Sequence, residues 1–130
     1  MSDRQRGTPR ADILIVDDTP ANLRLLAGIL AEQGHKVRPA SHGQMALLAA
    51  QAQPPDLILL DIMMPEMDGY ETMQRIRKLP KFGKLPMIAL TAKAMKGDRE
   101  KCLEAGANDY LPKPVDVDRL ISMLRVWLYQ

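Results

Sequence analysis

The chain has 130 residues, enough for one domain with a buried core. Its 18 basic and 16 acidic residues leave a net charge of +2, with no basic block after Arg10 to argue for nucleic-acid binding. A single cysteine, Cys102, excludes an internal disulfide, and no apolar stretch reaches the length of a membrane span or a secretion signal, so a cytoplasmic setting without membrane contact is expected.

Residues 1–11 are polar, carry Gly7 and Pro9, and read as a flexible N-terminal tail; residues 12–130 read as one domain. A first strand is expected over 12–16, on the run Ile13-Leu14-Ile15-Val16. The first helix should start at Thr19-Pro20: Thr19 is a capping residue type, and Pro20 suits the first helical position, where no N–H is needed. Leu23, Leu26, Ala27 and Leu30 recur at helical spacing and should face the sheet, leaving Leu25 and Ile29 on roughly the opposite face. Gly34 should end the helix in a left-handed conformation. A weaker second strand over 36–40 leads to an Ala/Leu-rich helix over 43–53, stopped by Pro54-Pro55. The third strand, on Leu57-Ile58-Leu59-Leu60, ends at Asp61, and a loop over 62–68 precedes a helix over 70–78. The fourth strand, on Met87-Ile88-Ala89-Leu90, ends at Thr91. A helix over 97–104 should follow, with Asp98 favourably near its positive end and Gly106 as its cap. A short strand over 109–111 and a last helix over 116–129 complete the pattern.

Apolar runs of this length between helical patterns read as buried strands of a parallel sheet. Five strand–helix alternations with short loops and right-handed crossovers give an α/β, flavodoxin-like (βα)5 three-layer sandwich, its parallel five-stranded sheet in the order 2-1-3-4-5. Ligands of such sheets bind beyond the carboxyl ends of the strands, at the switch point between the first and third. Those two strands end in Asp17-Asp18 and Asp61, the fourth ends in Thr91, and Lys113-Pro114 follows the fifth.

Two adjacent acids at a strand end can simply cap the next helix, but Thr19 is available for that and Asp61 arrives on the neighbouring strand. Three carboxylates so close repel one another unless protonated or neutralised. A hard cation resolves the repulsion, and Mg²⁺ needs only one or two protein carboxylates plus phosphate and water; nothing in the sequence resembles an EF-hand loop for calcium. Lys113 sits between Pro112 and Pro114, which argues against a freely solvated side chain. A cis Lys113-Pro114 peptide would hold its ammonium toward the carboxylates, where it offers a point charge to an anion. Thr91 by itself is uninformative; its meaning depends on the other four positions.

The segments ILIVDD (13–18), DLILLDIMMPEMDGYE (56–71), PMIALTA (86–92) and EAGANDYLPKP (104–114), with an apolar closing helix, resemble in order the receiver domain of two-component response regulators. The resemblance implies that Asp61 is the phosphoacceptor, taking a phosphoryl group from a phosphohistidine on a histidine kinase or histidine phosphotransferase. It implies Mg²⁺, with Mn²⁺ as a substitute, held by Asp18, Asp61 and the Met63 backbone carbonyl, and by Asp17 through water. It implies that Thr91 and Lys113 hold the phosphoryl group, and that Tyr110 switches with Thr91 to alter a downstream-partner face formed by the fourth helix, fifth strand and fifth helix. It makes Met63 and Lys93 either tuners of the dephosphorylation rate or ordinary loop residues. It places donor docking at Leu25, Ile29, Pro114 and Val115, with Met123 and Trp127 offering a rival apolar face on the last helix. A monomer or a phosphorylation-linked dimer is expected.

Other readings fit less well. Aspartyl-phosphate phosphatases carry a second acid two residues after the first, where this chain has Met63, so turnover of an external substrate is not expected. A nucleotide site lacks a Gly-rich loop after the first strand. Self-dephosphorylation and a stand-alone single-domain regulator are expected; a receiver cut from a longer hybrid kinase or response regulator is the alternative.

Overall fold

The computed structural model describes residues 10–92 and 97–128. Its elements alternate strictly: β1 (Asp12–Val16), α1 (Pro20–Glu32), β2 (Lys36–Ala40), α2 (Gly43–Ala52), β3 (Leu57–Asp61), α3 (Gly69–Lys78), β4 (Met87–Thr91), α4 (Asp98–Ala105), β5 (Asp109–Pro112) and α5 (Val117–Leu128). All strand pairs are parallel and the sheet order is β2-β1-β3-β4-β5, as expected. Among the described residues no helix is long and apolar enough to cross a membrane.

The unbroken apolar runs follow from burial on both faces. Successive side chains alternate across a sheet, so each run feeds two cores. Leu14, Val16, Ile58, Leu60, Met87 and Ala89 pack with residues of α2, α3 and α4, including Ala46, Met73 and Cys102. Ile13, Ile15, Leu57, Leu59, Ile88, Leu90 and Leu111 pack with residues of α1 and α5, including Leu26, Leu30, Leu120 and Leu124. Each fully buried Val, Leu, Ile or Met side chain among these contributes roughly 1.5–3 kcal/mol. β2 reads weakly because it is an edge strand, and Lys36 and Pro39 discourage a further strand from pairing there.

Several local features differ from expectation. On α1, Leu26 and Leu30 are buried, whereas Leu23 and Ala27 are half-buried at the margin of the same core. Thr19 takes the N-cap position but its side chain makes no capping bond; its own N–H donates to Asp17 Oδ1 at 2.9 Å. An Asp accepting from the amide two residues on is a local Asx turn, here leading into the helix. α2 is capped by His42, whose Nδ1 accepts from the Met45 N–H at 3.1 Å. α3 starts at Gly69, capped by Asp68 accepting from the Glu71 N–H at 2.9 Å, and Asp116 accepts from the Arg119 N–H at 3.2 Å as α5 begins. Gly34 and Gly106 end α1 and α4 with φ of 90° and 123°, as their positions predicted.

One tertiary staple has no local sequence signature. The Arg77 guanidinium donates to the carbonyls of Gly106, Phe82 and Leu85 and to Asn108 Oδ1, at 2.6–3.0 Å. It joins the end of α3, the loop before β4 and the turn before β5.

Candidate functional site

Strand register builds the site. Val16 pairs with Leu60, so Asp17 and Asp61 stand level at the carboxyl ends of β1 and β3. Asp61 pairs with Leu90 and Thr91 with Pro112, and the Lys113 N–H donates to the Thr91 carbonyl at 2.7 Å. The Lys113-Pro114 peptide is cis, as expected. Lys113 Nζ lies 3.1 Å from Asp17 Oδ2 and 3.2 Å from Asp61 Oδ1. Sequence reasoning aimed this ammonium at the carboxylate cluster; the structure shows that it bridges two of the acids.

Asp17 is 0% exposed and Asp61 2%, while Asp18 faces solvent. One carboxylate oxygen from each of the three lies within 4.8 Å of the others. Asp17 has two tasks, a local one, the Thr19 amide on one oxygen, and a long-range one, Lys113 on the other. Its position two residues before Thr19 is the sequence signal that could have shown the first task. Asp61 Oδ1 also accepts from the Met63 N–H at 3.2 Å.

The electrostatics follow from this crowding. Burial, then the charge of Asp17, push the Asp61 carboxyl up to about 6, against the opposing pull of Lys113 and the Met63 amide. Burial pulls the Lys113 ammonium downward, but hydrogen bonds and charges from Asp17 and Asp61 outweigh it and hold the group above the ordinary lysine range. Among the described residues, three carboxylates against one ammonium leave an excess of negative charge on hard oxygen donors. That donor set fits a small divalent cation such as Mg²⁺.

The remaining predicted residues are placed as follows. Thr91 is buried at the end of β4. Tyr110 is half-buried against the α2–α4 core and pairs with Ala89, two residues before Thr91, so the two side chains share a face of the sheet. The Met63 side chain is exposed beside the site. Lys93 lies outside the described residues. Leu25, 60% exposed, lines a groove of about 130 Å³ with Asn22, Leu26, Lys113, Pro114 and Val115. Ile29 does not line this groove; it is half-buried against the α1–α5 core. Met123 and Trp127 do not form an exposed face either. Met123 is buried, and Trp127 packs on the same core with its indole N–H donating to Asp109 at 3.3 Å. The exposed apolar residues of α5 are Val117 and Val126.

Comparison with known proteins agrees with this geometry. Residues 13–125 match the family model of the response regulator receiver domain. The signal transduction histidine-protein kinase BarA of Escherichia coli K12 is 44% identical over 112 residues, which cover 86% of this chain but only 12% of that kinase. A 14.6 kDa protein encoded in the sodA1 3′ region of Leptolyngbya boryana is 46% identical over 88% of this chain and 87% of its own length. Among solved structures, the receiver domain of the Pseudomonas aeruginosa sensor histidine kinase PA1611, with a magnesium ion coordinated in its active-site cleft, superposes with a TM-score of 0.87 at 39% identity, covering 93% of this chain and 99% of that one. The acid cluster, the sheet order and these likenesses lead to one conclusion: the chain belongs to the response regulator receiver family of two-component signalling.

Proposed function

We propose that Asp61 is the phosphoacceptor of a histidine-to-aspartate relay. The observation that carries this reading is the convergence of a buried Asp61 with Lys113 at 3.2 Å and with two further carboxylates at the strand ends. An Asp61 carboxylate oxygen attacks the phosphorus of a phosphohistidine; the new O–P bond forms as the N–P bond breaks and the imidazole of the donor leaves. Lys113 and the Thr91 hydroxyl hold the phosphoryl oxygens, and the fixed ammonium meets negative charge that spreads over them in a loose transition state. Asp18, Asp61 and the Met63 carbonyl would hold Mg²⁺, with Asp17 orienting a bound water. When bound, the ion neutralises the carboxylates and the phosphoryl oxygens. Water then attacks the phosphorus, releasing inorganic phosphate and restoring the Asp61 carboxylate; no external substrate is turned over. Thr91 moving toward the phosphoryl group frees space for Tyr110, and the surface of α4, β5 and α5 changes for a downstream protein partner.

The phosphodonor is a histidine kinase or phosphotransferase that docks on the groove at Leu25, Pro114 and Val115. Two settings fit the same chemistry. A single-domain regulator is supported by the Leptolyngbya protein of similar extent, and a receiver within a longer kinase by the likeness to BarA. The length of the open reading frame decides between them. The chemistry is tested by exposing the protein to phosphoramidate and Mg²⁺ and measuring intact mass. Wild type should gain one phosphoryl group, and Asp61→Asn should gain none. An Asp61→Asn protein labelled at the wild-type rate would remove the assignment.

A further inference from the structure

We infer that Gly69 is a positioning residue for Asp61 and the Met63 carbonyl; the inference rests on the phosphoacceptor reading above. Gly69 is the first residue of α3 and is buried. A Cβ built on it would lie 2.5 Å from the Asp61 carbonyl oxygen, 2.6 Å from Ile62 Cα and 2.8 Å from Leu60 Cδ2. Two of these three atoms are backbone, so no rotamer change relieves the clash. φ at Gly69 is not in the left-handed region, so the glycine is needed for close approach rather than for conformation. The Ile62 carbonyl accepts from both the Gly69 N–H at 3.0 Å and the Met64 N–H at 3.2 Å, while the Ile62 N–H donates to Leu90 at 2.9 Å. The loop from 62 to 68 is thus closed by hydrogen bonds that straddle Met63, and the start of α3 seats directly on the backbone that carries Asp61. Any side chain at 69 must lift α3 or push the end of β3. Either movement displaces Asp61 and Met63 relative to Asp17 and Asp18, which β1 holds.

Two measurements test this. First, coupling between sites is reciprocal, so a seat that favours Mg²⁺ must itself be favoured by Mg²⁺. In the wild-type protein, saturating Mg²⁺ should slow hydrogen exchange of the Gly69 amide by about tenfold more than that of the Ala107 amide, which bonds Cys102 at the other end of the sheet. Equal slowing of both amides overturns the inference. Second, Gly69→Ala should weaken Mg²⁺ affinity and slow labelling by phosphoramidate, each by about tenfold or more, as loss of a supporting contact does at other metal sites. Gly106→Ala is the control for general destabilisation. It strains a left-handed residue whose Cβ would meet Arg77 Cγ at 2.8 Å, and it should lower the melting temperature without changing Mg²⁺ affinity. A folded Gly69→Ala protein with wild-type Mg²⁺ affinity overturns the inference, and if that variant does not fold the exchange experiment decides. A wild-type protein that neither binds Mg²⁺ nor takes a phosphoryl group would instead overturn the underlying reading.

Discussion

Replacing Asp61 with asparagine should stabilise the metal-free protein near neutral pH while abolishing phosphorylation. Asparagine keeps the shape of the side chain and still accepts from the Met63 amide, but it removes a charge that the site disfavours. The sign follows from the direction of the shift. The carboxyl is raised from 3.8 to about 6 on folding, so its contribution to stability is fully present below 3.8 and is lost as pH rises through 6. Between those values the unfolded chain gives up the proton while the folded carboxyl keeps it, which withdraws under 1 kcal/mol at about pH 4, about 1.5 kcal/mol at about pH 5 and about 3 kcal/mol by about pH 7.5. Asparagine also gives up the ion pair with Lys113, but Lys113 retains Asp17 at 3.1 Å, so part of the gain survives. A net gain of about 2 kcal/mol is expected at about pH 7.5, worth roughly 4 °C per kcal/mol for a chain of this size. The assay is urea or thermal unfolding of both proteins with chelator present, from about pH 4 to pH 8. The difference between the two should grow with pH and level off above the Asp61 pKa. Adding Mg²⁺ should stabilise wild type far more than the variant, because binding only the folded state adds stability by mass action. An asparagine variant less stable than wild type near neutral pH, or a difference independent of pH, would refute the account of carboxylate crowding.

Lys113→Met should lower metal-free stability at neutral pH by roughly 3 kcal/mol, because it leaves two buried acids without their cation; it should also slow phosphoramidate labelling at least tenfold. Denaturation curves and intact-mass time courses check both effects. Leu25→Asp should slow transfer from a phosphohistidine donor strongly and leave labelling by phosphoramidate unchanged, since Leu25 is 60% exposed and a small donor needs no docking surface. Equal loss with both donors would point to a folding defect. Arg77→Met should lower the urea midpoint by an amount equivalent to about 2 kcal/mol, chiefly from the Gly106 and Leu85 carbonyls that lose a charged donor, since the Phe82 carbonyl keeps the Leu85 N–H and Asn108 Oδ1 keeps the Met87 N–H, with Mg²⁺ affinity retained.

The fold and the five site positions were legible in the sequence because both rest on local pattern. Runs such as Leu57–Asp61 can be continuous only when both faces of a strand are covered, and alternation with helices leaves few topologies once crossovers are right-handed. In that topology the residue ending each strand falls at the ligand-binding edge, which is why Asp17, Asp61 and Thr91 could be placed together without coordinates. What long-range packing decided was not legible. Asp17 serves both the Thr19 amide and Lys113, a division set by its complete burial and by a contact 96 residues away in sequence. Met123 turned toward the core because α1 and α5 share one hydrophobic layer, whose breadth helical periodicity alone does not define. The bonds of Arg77 and the steric demand at Gly69 join segments distant in the chain, so no short window carries their signal. Sequence pattern determined which residues reach the strand ends; tertiary packing decided how closely they approach, and with that the upward shift of the Asp61 pKa.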